Sequence, residues 1–185
     1  RPIVQIVGST LITTSSGSLL YFAYARTELD SVGMDGRLHV SGPVPESVCV
    51  VVRSTDGGVT WSEPIDIDGR GPEPVYQQRA KDSLSEVSAA ETRDGRIVAL
   101  VRPVQSPYMW ETWSDDDGLT WTPLARGPFP LYASTNSMIA TQSGVLLIGG
   151  RFPGLCVQAS YDGGLTWRGY RIDTAIWANG AMFEV

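Results

Sequence analysis

Histidine and cysteine are almost missing from this chain: one histidine, His39, and two cysteines, Cys49 and Cys156, stand in 185 residues. A lone histidine with no Cys or His partner at ligand spacing builds neither a zinc site nor a catalytic triad, so no metal and no cofactor is expected. Cys49 lies five residues before Ser54 and Cys156 four before Ser160. That puts them on equivalent strands with opposite side-chain parity, which argues against a disulfide and reads them as small buried apolar groups. No apolar run reaches the ~18 residues of a membrane span, and no phosphate loop or dinucleotide fingerprint occurs. Basic residues are outnumbered, 14 Lys and Arg against 20 Asp and Glu, for a net charge of -6. Nucleic acid needs a basic face, so it is not an expected partner. Arg1-Pro2 opens no recognisable signal peptide. Helical periodicity is lacking as well; with 20 Gly, 12 Pro and 42% apolar residues the composition points to an all-β protein.

What the chain does contain is a repeat. Ser54-Thr55-Asp56-Gly57-Gly58-Val59-Thr60-Trp61 returns as Ser114 to Trp121 and as Ser160 to Trp167, each copy reading Ser-x-Asp-x-Gly-x-Thr-Trp and each following an apolar run. Repeats at such a period indicate a propeller or a solenoid. The stretch is turn chemistry: the Asp carboxylate bonds backbone N–H groups two residues on, and Gly supplies the positive φ. Calcium binding by Asp56, Asp116 and Asp162 would need more oxygen ligands than one Asp per turn. The Thr-Trp pair should restart an extended strand, its indole capping one unit and covering the next. In Asp115-Asp116-Asp117 the flanking carboxylates read as solvated turn positions.

A second periodicity brackets the first. Val4–Thr14 and Ser18–Ala25 flank a turn at Gly17, and the same layout of strand, turn and strand recurs around Gly95 and Gly144 and begins again at Ala178. Units of about 1–68, 69–126 and 127–174 follow, with a fourth starting at 175–185. A closed propeller takes at least about four blades of four strands, so the chain reads as part of a ring that closes through further blades or self-association. Between the strands, the polar loop Arg26–Pro45 holds Glu28, Asp30 and Asp35, and loops of this length in compact domains tend to be functional. Aligned on their glycines, the units place Gly8, Glu86 and Thr135 at the start of the innermost strands and Arg26, Arg102 and Arg151 at the ends of the second.

The eight-residue pattern is the Asp box, and through it the sequence resembles the sialidase superfamily over nearly its whole length. The resemblance implies a sialidase-like β-propeller, here about three to three and a half four-stranded blades. It also implies a glycan substrate and a secreted or periplasmic setting. Around Ser85-Glu86-Val87 and onward to Arg102 the register is that of the family, whose glutamate and arginine stand at the same separation. By this resemblance Glu86 is the base that activates a nucleophile, and Arg102 belongs to the arginines that grip a substrate carboxylate. Arg151, nine residues before Ser160, matches another of these arginines, and Asp30 falls near the acid/base aspartate. Two convergent arginines suit an anionic sugar, because the planar fork bonds a carboxylate bidentately.

The pattern also departs from the family. An arginine expected near Val7 is absent, and Trp177-Ala178-Asn179-Gly180 occupies the place of the nucleophilic tyrosine. Tyr76, Tyr108, Tyr132 or a residue beyond Val185 would then serve. Alternatively Glu86 and Asp30 flank the glycosidic bond as two carboxylates, with their separation deciding retention or inversion. Tyr108, Trp110, Tyr132 and Phe152 flank Pro-rich turns and are expected at the channel mouth as a sugar-stacking subsite. The reading is an exo-glycosidase for a terminal acidic sugar; the other reading is a non-catalytic Asp-box module that binds glycan or protein.

Overall fold

The computed structural model describes residues 5–26, 47–67, 84–103, 108–130, 137–150 and 155–173. These form three four-stranded antiparallel sheets in succession. The first holds β1 (Gln5–Thr13), β2 (Leu19–Arg26), β3 (Ser47–Ser54) and β4 (Ile65–Asp66); the second β5 (Leu84–Glu91), β6 (Ile97–Pro103), β7 (Tyr108–Ser114) and β8 (Ala125–Pro130). The third holds β9 (Met138–Ala140), β10 (Leu146–Gly150), β11 (Leu155–Ser160) and β12 (Arg168–Asp173). Strand order within every sheet follows the chain, and among the first strands β1 adjoins β5 and β5 adjoins β9. No helix of the described residues is long and apolar enough to cross a membrane.

Two kinds of turn close these sheets at one end. In the first, Thr14, Thr92 and Thr141 each accept the N–H of a glycine three residues on, Gly17, Gly95 and Gly144. The glycines have φ between 86° and 88°, a region that costs a side chain and costs glycine little. In the second, the Asp boxes, Ser54 Oγ donates to Asp56 and accepts the Gly58 N–H, while Asp56 accepts from both the N–H and the hydroxyl of Thr60. Ser114 with Asp116 and Ser160 with Asp162 repeat the arrangement.

The tryptophans depart from expectation. Trp61, Trp121 and Trp167 each return an indole N–H to the carbonyl of Gly58, Gly118 or Gly164. The strand that follows is delayed in the first two boxes, where β4 begins only at Ile65 and β8 at Ala125, whereas in the third β12 begins at Arg168, directly after Trp167. The rings of Trp121 and Trp167 also face backward along the chain, not forward. Trp121 packs edge-on against Phe22 of the first sheet at 5.7 Å, and Trp167 against Phe129 of the second at 5.2 Å.

The core accordingly lies between sheets. Leu20, Phe22 and Val51 meet Val87, Val101 and Trp110 between the first two, and Leu100, Met109 and Phe129 meet Leu146, Ile148 and Cys156 between the second and third. Box glycines allow the close approach: a Cβ on Gly118 would lie 2.9 Å from Leu20 Cδ1, and one on Gly164 3.2 Å from Val98 Cγ2. Polar contacts finish the first junction. Asp117 accepts from the hydroxyls of Thr14 and Ser18 and pairs with Arg53, and Glu91 accepts the N–H of Ser15 at 2.6 Å. Asp117 is therefore no solvated turn position. Cys49 and Cys156 are buried and unbridged.

Candidate functional site

β5 loses register with β6 between Leu84 and Val87: Leu84 pairs Pro103 and Val87 pairs Val101. Two residues, Ser85 and Glu86, thus stand opposite Arg102 alone. This is a β-bulge, a device that re-aims a side chain. Its effect is local and specific. Arg102 Nη1 donates to Glu86 Oε2 at 2.6 Å, and Ser85 Oγ donates to the Arg102 carbonyl at 3.3 Å. The two charged side chains keep 30% and 23% of their surface exposed, Arg102 the more, so the pair is sheltered yet open to a ligand. It lies at the end of the sheet opposite the boxes.

The neighbouring sheet reaches the same segment. β1 carries its own bulge, since Gly8 pairs Ala23 and Thr10 pairs Phe22, leaving Ser9 as the extra residue. Thr10 Oγ1 donates to the Val87 carbonyl at 2.7 Å, Ser9 Oγ accepts the Val87 N–H at 3.2 Å, and Cys49 Sγ donates to the Ser85 carbonyl at 3.1 Å. Sequence reasoning missed these contacts, because nothing in the residue alternation marks a bulge.

Among the expected subsite aromatics, Tyr108 opens β7 half-buried, with the Arg126 guanidinium 3.9 Å from its ring centroid. Trp110 is a correction. Only 2% exposed, it belongs to the core between the first and second sheets. Its position opposite Val101 aims it inward, and a neighbouring turn does not change the parity of a strand. Asp30, Arg151, Tyr132 and Phe152 lie outside the described residues, as do Tyr76, Thr135 and Trp177. β2 ends at Arg26, β6 one residue after Arg102, and β10 at Gly150, immediately before Arg151.

Besides Asp56, which bonds from Thr60 and Ser54 in its own turn hold down to about 2, two carboxyls away from this end are strongly perturbed. Burial pushes Asp117 up, but the bonds from Ser18, Arg53, Thr14 and Ser16 outweigh it and bring the carboxyl down to about 2. Burial pushes Glu111 up to about 7 against a bond from Trp167, with the Asp162 charge adding to the rise. Both lie at junctions between sheets.

Residues 34–174, which contain all three Asp boxes, match the BNR repeat-like domain. The chain belongs to that family. No protein of curated function matches it by sequence. Solved structures share the fold at low identity. One is a Dyadobacter fermentans protein of unknown function, with 23% identity and TM-score 0.62 over 92% of this chain and 52% of its own. A second is a Streptococcus pneumoniae sialidase, with 13% identity and TM-score 0.61 over 91% and 39%. A third is a Penicillium chrysogenum alpha-L-arabinanase, with 12% identity and TM-score 0.58 over 93% and 48%. The chain spans about half the length of the first of these. The BNR chain is thus an all-β partial propeller of sialidase type, a fold it shares with glycoside hydrolases.

Proposed function

We propose that this chain belongs to a glycoside hydrolase that removes a terminal acidic sugar from a glycan. The observation that carries the reading is the Glu86–Arg102 pair, formed at 2.6 Å across a bulge at the end of an innermost strand. In this reading Glu86 moves a proton, either from the attacking group or as partner to Asp30 across the scissile bond. Arg102 offers its planar fork to the sugar carboxylate while it holds Glu86 in place, and Arg151 is the second carboxylate ligand. Tyr108, with Tyr132 and Phe152, supplies the sugar-stacking surface; the burial of Trp110 removes it from that set.

The test is hydrolysis of a panel of aryl glycosides, the sialic acid derivative included, by the chain and by its Glu86→Gln variant. Turnover of one acidic glycoside that is lost in the variant supports the reading. A folded protein inert across the panel shifts the assignment to a non-catalytic glycan-binding module. One feature favours that second reading: β1 carries Val7 where the sialidase resemblance calls for an arginine.

A further inference from the structure

Glu86 sits between two residues, Ser85 and Val87, whose main-chain groups are tied to a different sheet. β5 is the first strand of its sheet, so one of its edges has no strand partner within that sheet. A residue of an antiparallel strand turns its N–H and C=O to the same side, and both of these groups of Val87 bond to side chains of β1. They therefore face away from β6. The hydroxyls of Ser9 and Thr10 take the place of a neighbouring strand, and the β1 bulge is what lets two consecutive residues reach one target. On the other side of Glu86 the Ser85 carbonyl accepts from Cys49 of β3. The bulge frees Glu86 from the regular alternation of β5, and these bonds fix the direction it then takes.

We infer that Ser9 and Thr10 are positioning residues for Glu86: by holding the N–H and the carbonyl of Val87, the residue that follows it, they set the angle at which its carboxylate meets Arg102 and the substrate. The inference rests on the hydrolase reading for its catalytic consequence, though its structural content does not. A strand-edge contact with no positioning role would affect stability and leave the geometry of the carboxylate alone. A positioning role does the reverse, since misplacing a catalytic group by about 1 Å costs up to about a hundredfold in rate.

The experiment compares Thr10→Val, Thr10→Ser and Ser9→Ala in the full chain. Thr10→Val keeps shape and removes the hydroxyl. It should lower kcat by about tenfold to a hundredfold with KM within about twofold, and Thr10→Ser should restore the rate. Ser9→Ala, which removes the longer bond, should cost less. Unchanged kcat in Thr10→Val overturns the inference, as does a loss that Thr10→Ser fails to recover. A second readout separates this from failure of the hydrolase reading. If the wild-type chain turns over no glycoside, the ¹³Cδ resonance of Glu86 still reports its surroundings. Its displacement in Thr10→Val and return in Thr10→Ser support positioning, and a resonance that stays in place in Thr10→Val overturns it.

Discussion

Asp117 of the second Asp box pairs with Arg53, the residue just before the first. It does so from a φ of 60°, in a position where the other two boxes have Gly57 and Gly163. The left-handed conformation is costly for a residue with a side chain, and what it obtains here is a carboxylate aimed into the first sheet. Asp117→Asn should destabilise the protein by about 1–2 kcal/mol at neutral pH. The pH dependence has a definite sign. Asp117 has its folded pKa depressed from 3.8 to about 2, so its contribution is present above pH 3.8 and is lost as pH falls towards 2. Urea unfolding of both proteins should show a gap at pH 7 that closes near pH 2; a gap unchanged over that range contradicts the assignment.

Glu111 behaves in the opposite sense. Its folded pKa is raised from 4.5 to about 7 by burial beneath the third box, where its Oε1 approaches the Gly164 site. The unfolded chain gives up this proton first, so stability falls as pH rises from 4.5 through 7. Glu111→Gln should match wild type at pH 4 and exceed it by about 2 kcal/mol at pH 8. Thermal melts at the two pH values measure this directly. A variant less stable than wild type at pH 8 would contradict it.

Three tryptophans at one motif position should differ in energetic weight. Trp121 and Trp167 lie against phenylalanines of the preceding sheet, whereas Trp61 is 41% exposed and its aromatic partner among the described residues is Tyr21 of its own sheet. Trp121→Ala and Trp167→Ala should each cost about 3 kcal/mol or more, and Trp61→Ala about 1 kcal/mol or less. Equal losses in chemical denaturation would show that the indole serves its own turn and not the junction.

Gly8 predicts a steric failure. A Cβ there would lie 1.6 Å from the Tyr21 hydroxyl, so Gly8→Ala must displace the phenol. Overpacking of this kind costs about 1–3 kcal/mol. Pairing Gly8→Ala with Tyr21→Ala should recover most of the loss, and failure to recover would place the strain in the backbone.

At the candidate site, Arg102→Lys keeps the charge and discards the planar fork. On the hydrolase reading it should raise KM for an acidic glycoside about tenfold and leave a neutral glycoside unaffected. Steady-state kinetics on the matched pair of substrates decides it.

The boxes were legible in the sequence because their residues bond within eight positions, and local chemistry reads locally. Glu86 and Arg102 were legible because they stand at the open ends of one hairpin, at the separation of the family resemblance, while the bulge that brings them together was not. Asp117 was not, since only the adjoining sheet distinguishes it from Asp115, which pairs instead with Arg96. Ser9 and Thr10 were hidden by the same cause: their partner is 78 and 77 residues away. Trp110 was misread from its neighbouring turn, when its partner across the ladder decides its side. The backward lean of the indoles is likewise set by how sheets stack, which no single repeat reveals.

That lean gives the polypeptide a direction of assembly. Each sheet that leaves the ribosome finds the surface its indole needs already made, and the clamp at Asp117 closes onto a turn completed about a hundred residues earlier. Synthesis and stacking then run in one sense, so an apolar face waits for its cover only as long as the next repeat takes to emerge.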